Sequence, residues 1–247
     1  MGNNHNTQPN SRFTPNASRF SFHVSRFTPG DLEPHYQDYT LDVPPGLSVL
    51  EALVRIQAEQ DGTLAFRYAC RGAVCGSCAM VINGAVNLAC RTQVHALGTA
   101  VITVEPLPHL PVLQDLVVDM EPFLEKVQAV QPWLQPAGPD PEKERLVPPD
   151  EWDEAEPYTN CILCASCHGV CPAAEKETYL GPAALAKHYR FLADPRDAAE
   201  KTRLDLVDTP AGAWGCEMVG NCVQVCPKGV PPMRGIGKTR ARLRRKE

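Results

Sequence analysis

The chain has 247 residues, among them 24 prolines and 17 glycines, and carries a formal net charge of −5. That acidity argues against general nucleic-acid binding, and no apolar run reaches the roughly 18 residues that a membrane-spanning helix requires. The length admits two ordinary domains, and the wealth of proline and glycine points to irregular backbone of the kind that wraps around cofactors.

Residues 1–17 are polar and poor in acids, and Ser-Arg-Phe occurs at 11–13, 18–20 and 25–27. A transit peptide has a similar composition, but Pro9, Pro15 and Pro29 interrupt any amphipathic helix, so a flexible leader over 1–17 is expected. Phe20–Phe27 and Tyr36–Val43 read as paired strands around a Pro-Gly-Asp turn, and Val49–Gln60 reads as a helix after Pro44-Pro45-Gly46. Ala79–Ile82 and Val86–Leu88 flank Asn83-Gly84, a hairpin signal, and Ala100–Val104 supplies another strand. Pro106, Pro108 and Pro111 mark a boundary, after which apolar residues from Val112 to Val130 return with helical spacing. A proline-rich, charged surface loop follows from Pro132 to Pro149, and Pro182–Leu192 and Arg234–Arg245 are further helices. The expected class is α+β: a plant-type ferredoxin, β-grasp domain over 18–107, then an all-α, bacterial-ferredoxin-like (α-helical ferredoxin) domain over 108–247.

All eleven cysteines fall into three groups. An odd total at short spacings fits metal ligation better than a disulfide framework. The first group, Cys70-Arg-Gly-Ala-Val-Cys75-Gly-Ser-Cys78 with Cys90, has the spacing of plant-type [2Fe–2S] ferredoxins, and Gly72 and Gly76 would let backbone N–H groups approach sulfur. The second, Cys161-Ile-Leu-Cys164-Ala-Ser-Cys167-His-Gly-Val-Cys171-Pro172, is the bacterial-ferredoxin run, whose fourth cysteine serves the other cluster of a pair. Aligned on that template, the third group reads Cys216, Val219, Cys222, Cys226-Pro227. Exchanging the fourth cysteines assigns Cys161, Cys164, Cys167 and Cys226 to a [4Fe–4S] cluster. Cys171, Cys216 and Cys222 remain for a centre whose vacant corner is Val219, which cannot bind iron and so suits [3Fe–4S]. Zinc is the competing metal, although the Cys-x4-Cys opening supplies neither paired Cys-x2-Cys units nor histidine ligands.

With these groups the chain resembles the iron–sulfur subunits of succinate dehydrogenases and fumarate reductases over about residues 18–245. The resemblance extends to Pro106–Met120, to Gly181-Pro-Ala-Ala-Leu185 with Tyr189-Arg-Phe-Leu192, and to Asn221-Cys-Val-Gln-Val-Cys-Pro-Lys-Gly229. It implies a subunit that does no bond chemistry and relays electrons between FAD in a flavoprotein catalytic subunit and a quinone at a membrane anchor subunit, where haem b is a further expected cofactor. It implies the order [2Fe–2S], [4Fe–4S], [3Fe–4S] from flavin to membrane. The expected location is peripheral, on the cytoplasmic face of the inner (plasma) membrane, or on the matrix side in a mitochondrion. Ubiquinone-reducing members place a tryptophan shortly after the Cys-Pro, where this chain has Ala173-Ala-Glu-Lys176, and a histidine where it has Glu217; these departures favour menaquinone and a quinone site mainly in the membrane subunit. Pro172 and Trp214 are the candidates for the quinone's vicinity.

Other residues invite weaker readings. His168 is expected to be an outer-shell or surface histidine, since thiolates already suffice, and Trp214 to pack against the cluster domain. The basic Lys238–Lys246 segment suits either anionic lipid headgroups or a solvated last helix. The alternatives to the relay subunit are a freestanding ferredoxin-type carrier, an iron–sulfur subunit of a related flavoprotein complex, and a zinc module. No nucleophile motif supports an independent hydrolase.

Overall fold

The computed structural model describes residues 17–245, so most of the proposed leader lies outside the described residues. Strands β1 (Ser18–Arg26) and β2 (His35–Val43) pair antiparallel from Ser18 opposite Val43 to Arg26 opposite His35. Helix α1 (Val49–Glu59) follows, and begins with a capping box: Glu51 N–H donates to Ser48 Oγ at 3.2 Å, and Ser48 N–H donates to Glu51 Oε2 at 2.9 Å. Val49, Leu50, Leu53 and Ile56 recur at helical spacing and are buried. Strands β3 (Ala79–Ile82) and β4 (Ala85–Leu88) form the expected hairpin, with Asn83 and Gly84 at φ of 49° and 76°. Strand β5 (Val101–Glu105) completes a sheet of order β2-β1-β5-β3-β4, in which β1 and β5 run parallel. One helix against a mixed sheet, with a cysteine loop between α1 and β3, fits the β-grasp expectation.

The helical reading of Val112–Val130 is corrected over its first half. Val112–Gln114 (β6) and Val117–Val118 (β7) form a small antiparallel hairpin, and α2 (Glu121–Ala129) begins only afterwards. The turn is held by Asp115, which is buried at φ 48° and accepts from Arg26 Nε at 3.0 Å, Phe27 N–H at 3.0 Å and Ala65 N–H at 2.8 Å. Arg26 also meets Asp61 at 2.5 Å, so one guanidinium pairs with two carboxylates. Replacing Asp115 with alanine orphans two backbone donors and half-strips a buried cation. The expected cost is about 3–5 kcal/mol, read as a lowered unfolding midpoint, with Asp115→Asn losing less because one acceptor survives.

Beyond α2 the described elements are helices: α3 (Pro149–Trp152), α4 (Glu156–Thr159), α5 (Ser166–Gly169), α6 (Gly181–Leu192), α7 (Glu200–Val207), α8 (Asn221–Gln224) and α9 (Pro232–Arg244). α6 lies at the centre, buried along most of its length and touching α2, α4, α5, α7 and α9. The proline-rich 132–149 segment is largely exposed, as expected, but is pinned where Ala198 N–H donates to Gln135 O at 2.8 Å. Arg203, fully buried, donates to Asp197 and to the carbonyls of Gln131 and Trp133 at 2.6–3.0 Å, tying α7 to that segment.

Candidate iron–sulfur centres

In the first loop, left-handed residues Arg71 (φ 55°) and Ala73 (φ 56°) turn successive N–H groups inward. Gly72, Val74 and Cys75 donate to Cys70 Sγ at 3.4, 3.2 and 3.2 Å, Cys70 N–H reaches Cys75 Sγ at 3.5 Å, and Ser77 Oγ lies 3.0 Å from Cys75 Sγ. This is a nest for negative sulfur. The N–H of Cys70 and the Ser77 hydroxyl lower the Cys75 thiol to about 6, whereas burial raises Cys78 to about 12, with Cys90 and Cys75 as its charged neighbours. All four cysteines of the group therefore meet, Cys70 and Cys75 on the exposed side and Cys78 buried.

The second and third groups adopt one backbone twice. Leu163 and Ala165, two and four residues after Cys161, have φ of 53° and 60°; Met218 and Gly220, at the same offsets after Cys216, have φ of 57° and 92°. Each loop then enters a single helical turn carrying its next cysteine, Cys167 on α5 and Cys222 on α8. Val219 thus occupies the position equivalent to Cys164, and its side chain is exposed.

The thiols wall two cavities. One is lined by Cys161, Cys164, Cys167 and Cys226 among apolar residues of α6 and the α8–α9 connection. The other is lined by Cys171, Cys216 and Cys222 together with Pro172, Tyr179 and Val219. Among the described residues, no three cysteine, histidine or acidic side chains converge on a point that would hold one ion; the thiols surround spaces instead. Burial raises the thiols of Cys161, Cys167 and Cys171, and lifts Cys222 to about 11. Neighbouring thiolates add to this across the exchanged fourth positions, Cys226 acting on Cys161 and Cys216 on Cys171. Ligation would have to displace these protons, which couples loading of the sites to proton release.

The three sites are physically joined. Gly76, at φ 75° in the first loop, packs so closely on the second that a Cβ there would lie 2.7 Å from Cys164 Cβ. Arg91, just after Cys90, donates to Pro227 O at 3.0 Å, just after Cys226. α5 carries Cys167 of one cavity and leads directly into Cys171 of the other.

Three expectations are narrowed or revised. Of the two positions expected for His168, burial rules out the surface one and leaves the outer-shell one: its ring lies edge-on to Phe123 at 5.8 Å and His109 at 6.4 Å, and burial lowers its pKa to about 4, which keeps it neutral. Trp214 is 38% exposed and not packed into the core; it donates to Asp208 Oδ1 at 2.7 Å and lies against Arg240 and Arg244. Much of the C-terminal basic charge is engaged within the chain. Lys238 pairs with Glu154 and Arg242 with Glu200, while Arg240 donates to the carbonyls of Ala213, Trp214 and Cys216, clamping α9 onto the third cysteine loop. Tyr179 and the Gly76 contact escaped the sequence reading, because neither belongs to a ligand pattern.

Two family models match different parts of the chain. Residues 21–125 match the model of a 2Fe-2S iron-sulfur cluster binding domain, and residues 157–230 that of a 4Fe-4S dicluster domain. The fold and its cysteine loops thus define a ferredoxin-type iron–sulfur protein with two cluster-binding regions. The chain is 39% identical over 227 residues to the mitochondrial succinate dehydrogenase [ubiquinone] iron-sulfur subunit 1 of Oryza sativa subsp. japonica, covering 89% of this chain and 80% of that protein. It is 40% identical over 228 residues to the succinate dehydrogenase iron-sulfur subunit of Coxiella burnetii, covering 90% and 96%. A chain of the Mycobacterium smegmatis Sdh1 complex in the apo form superposes with a TM-score of 0.85 at 26% identity, covering 94% of this chain and 98% of that one. The chain belongs to the family of succinate dehydrogenase iron–sulfur subunits, and its role is electron transfer.

Proposed function

We propose that this chain binds [2Fe–2S] through Cys70, Cys75, Cys78 and Cys90, [4Fe–4S] through Cys161, Cys164, Cys167 and Cys226, and [3Fe–4S] through Cys171, Cys216 and Cys222. In this reading it relays electrons between FAD in a flavoprotein subunit and a quinone held by a membrane anchor that contains haem b. The two cluster-binding units are drawn at 18–107 and 108–247, the second as an α-helical ferredoxin unit. The observation that carries the reading is the repeated backbone of the second and third cysteine loops, which puts Val219 at the position of Cys164. Iron–sulfur clusters supply the one-electron carriers. The chain supplies thiolates, N–H donors to sulfur, a low-polarity surround that excludes water, and the close packing at Gly76 that sets the centres in sequence.

Among the described residues no helix is long and apolar enough to cross a membrane, so attachment runs through the anchor, on the cytoplasmic face, or on the matrix face in a mitochondrion. Menaquinone is favoured because the Cys171–Cys216 cavity is lined by Ala173 and by Glu217, which pairs with Lys176 at 3.3 Å, where ubiquinone-reducing members carry the tryptophan after the Cys-Pro and the histidine after the first cysteine. The potentials of quinone and flavin, outside this chain, decide between succinate oxidation and fumarate reduction. The test is low-temperature electron paramagnetic resonance of the oxidised, natively purified complex with iron counted in this subunit. A [3Fe–4S] signal with about nine irons per chain is expected; silence with ten would mean two four-iron centres, and little iron would return the reading to zinc.

A further inference from the structure

Tyr179 stands on the wall of the cavity formed by Cys171, Cys216 and Cys222. It is 1% exposed, and its hydroxyl makes no well-formed hydrogen bond within the chain, although it comes near enough to Cys216 to interact with its thiol. Leaving a buried hydroxyl unpaired is costly, and phenylalanine at this position would avoid that cost. The residue is held firmly. Its N–H donates to Lys176 O at 2.9 Å, and the next N–H, that of Leu180, donates to Ala211 O at 2.9 Å. The ring fills the space over Gly215, where a Cβ would come within 2.7 Å of Tyr179 Cδ2 and 3.1 Å of Cε2. Gly215 immediately precedes Cys216, so the ring and the ligand loop are shaped to each other. The cavity of Cys161, Cys164, Cys167 and Cys226 has no tyrosine on its wall.

A tyrosine hydroxyl carries its proton at neutral pH and can donate it to a sulfur that bears negative charge. We infer that the Tyr179 hydroxyl donates a hydrogen bond to sulfur at the three-thiolate centre, with Cys216 Sγ or a cluster sulfide as acceptor, and that this bond raises the centre's reduction potential. The inference rests on the [3Fe–4S] assignment above. A donor to sulfur stabilises the reduced, more negative cluster more than the oxidised one, so its loss lowers the potential. Tyr179 is thus a positioning and tuning residue and no ligand.

The test uses the intact complex. Tyr179→Phe is expected to retain all its iron and the oxidised three-iron signal, with that centre's midpoint potential moved negative and those of the other two unchanged. A retained centre at an unchanged potential overturns the inference. The unsubstituted complex, grown with tyrosine carrying 17O at the hydroxyl, supplies a readout that does not depend on the variant assembling: a 17O hyperfine coupling on the three-iron signal is expected, and its absence overturns the inference. A complex with no three-iron signal before any substitution fails the cluster assignment itself, and the tyrosine inference falls with it. A normal signal without 17O coupling fails the tyrosine alone.

Discussion

Replacing Val219 with cysteine is expected to convert the three-iron centre into a four-iron one. The replacement needs no movement of the backbone. Val219 lies between Met218 (φ 57°) and Gly220 (φ 92°), as Cys164 lies between Leu163 (φ 53°) and Ala165 (φ 60°), so a thiol there projects as the Cys164 thiol does. Val219 is 56% exposed, and losing its side chain leaves no cavity in the core. The expected stability change stays within about 0.5 kcal/mol, as for an exposed substitution. The effect on the centre is large: one more iron per chain, loss of the oxidised paramagnetic signal, and a changed midpoint, since potential follows cluster type and net charge. Turnover with quinone should fall while electron transfer from the flavin to the first centre persists. A V219C complex with an unchanged iron count and an intact three-iron signal would refute both the alignment of the two loops and the ligand sets drawn from it.

Features confined to short stretches were legible in the sequence. The cysteine groups declare themselves by spacing because most ligands to a cluster come from one tight loop, with the fourth supplied from elsewhere in the chain; Asn83-Gly84 declares a hairpin because both residues tolerate positive φ. α1 and α6 were found within a residue or two through their apolar period. What escaped depends on distant partners. Val112–Val118 has apolar residues at helical spacing, yet Asp115 bends it into a hairpin to reach Arg26, 89 positions away. α4, α5 and α8 are single turns of four residues, too short to display a period. α7 has little amphipathic pattern and is fixed largely by the buried Arg203, whose partners lie 6 to 72 positions away. For His168 the sequence left an outer-shell and a surface position open, and only the packing of Phe123 and of Gly181, whose added Cβ would lie 3.1 Å from His168 Nδ1, removes the surface one.

Gly76→Val is expected to separate the first two centres while leaving each able to assemble. Gly76 has φ 75°, a conformation that costs a residue with a Cβ about 1–2 kcal/mol and a β-branched one more. The steric conflict is the greater effect. An added Cβ would sit 2.7 Å from Cys164 Cβ, 2.9 Å from Cys164 Cα and 3.1 Å from Ile162 O. None of these is the end of a flexible side chain. Cys164 is a proposed cluster ligand and Ile162 lies in the same loop, so the contact is relieved by moving the whole first loop away from the second. The thiols of each centre come from outside position 76, so iron content should be retained. Electron tunnelling falls steeply with separation, so electron transfer between the first two centres should slow, and turnover with quinone should fall once that step becomes limiting. Gly76→Ala should fall between the two, because it brings the same Cβ without the branching methyls. The measurement is the magnetic coupling between the reduced first and second centres beside turnover with an artificial acceptor that draws electrons from the flavin. Weakened coupling and slow quinone reduction with unaltered flavin turnover are expected. Full quinone turnover with complete iron would mean that the approach at Gly76 does not carry the electrons. As the structure stands, this is where the β-grasp unit meets the loop of Cys161–Cys167, and only a residue without a Cβ lets the two loops come this close.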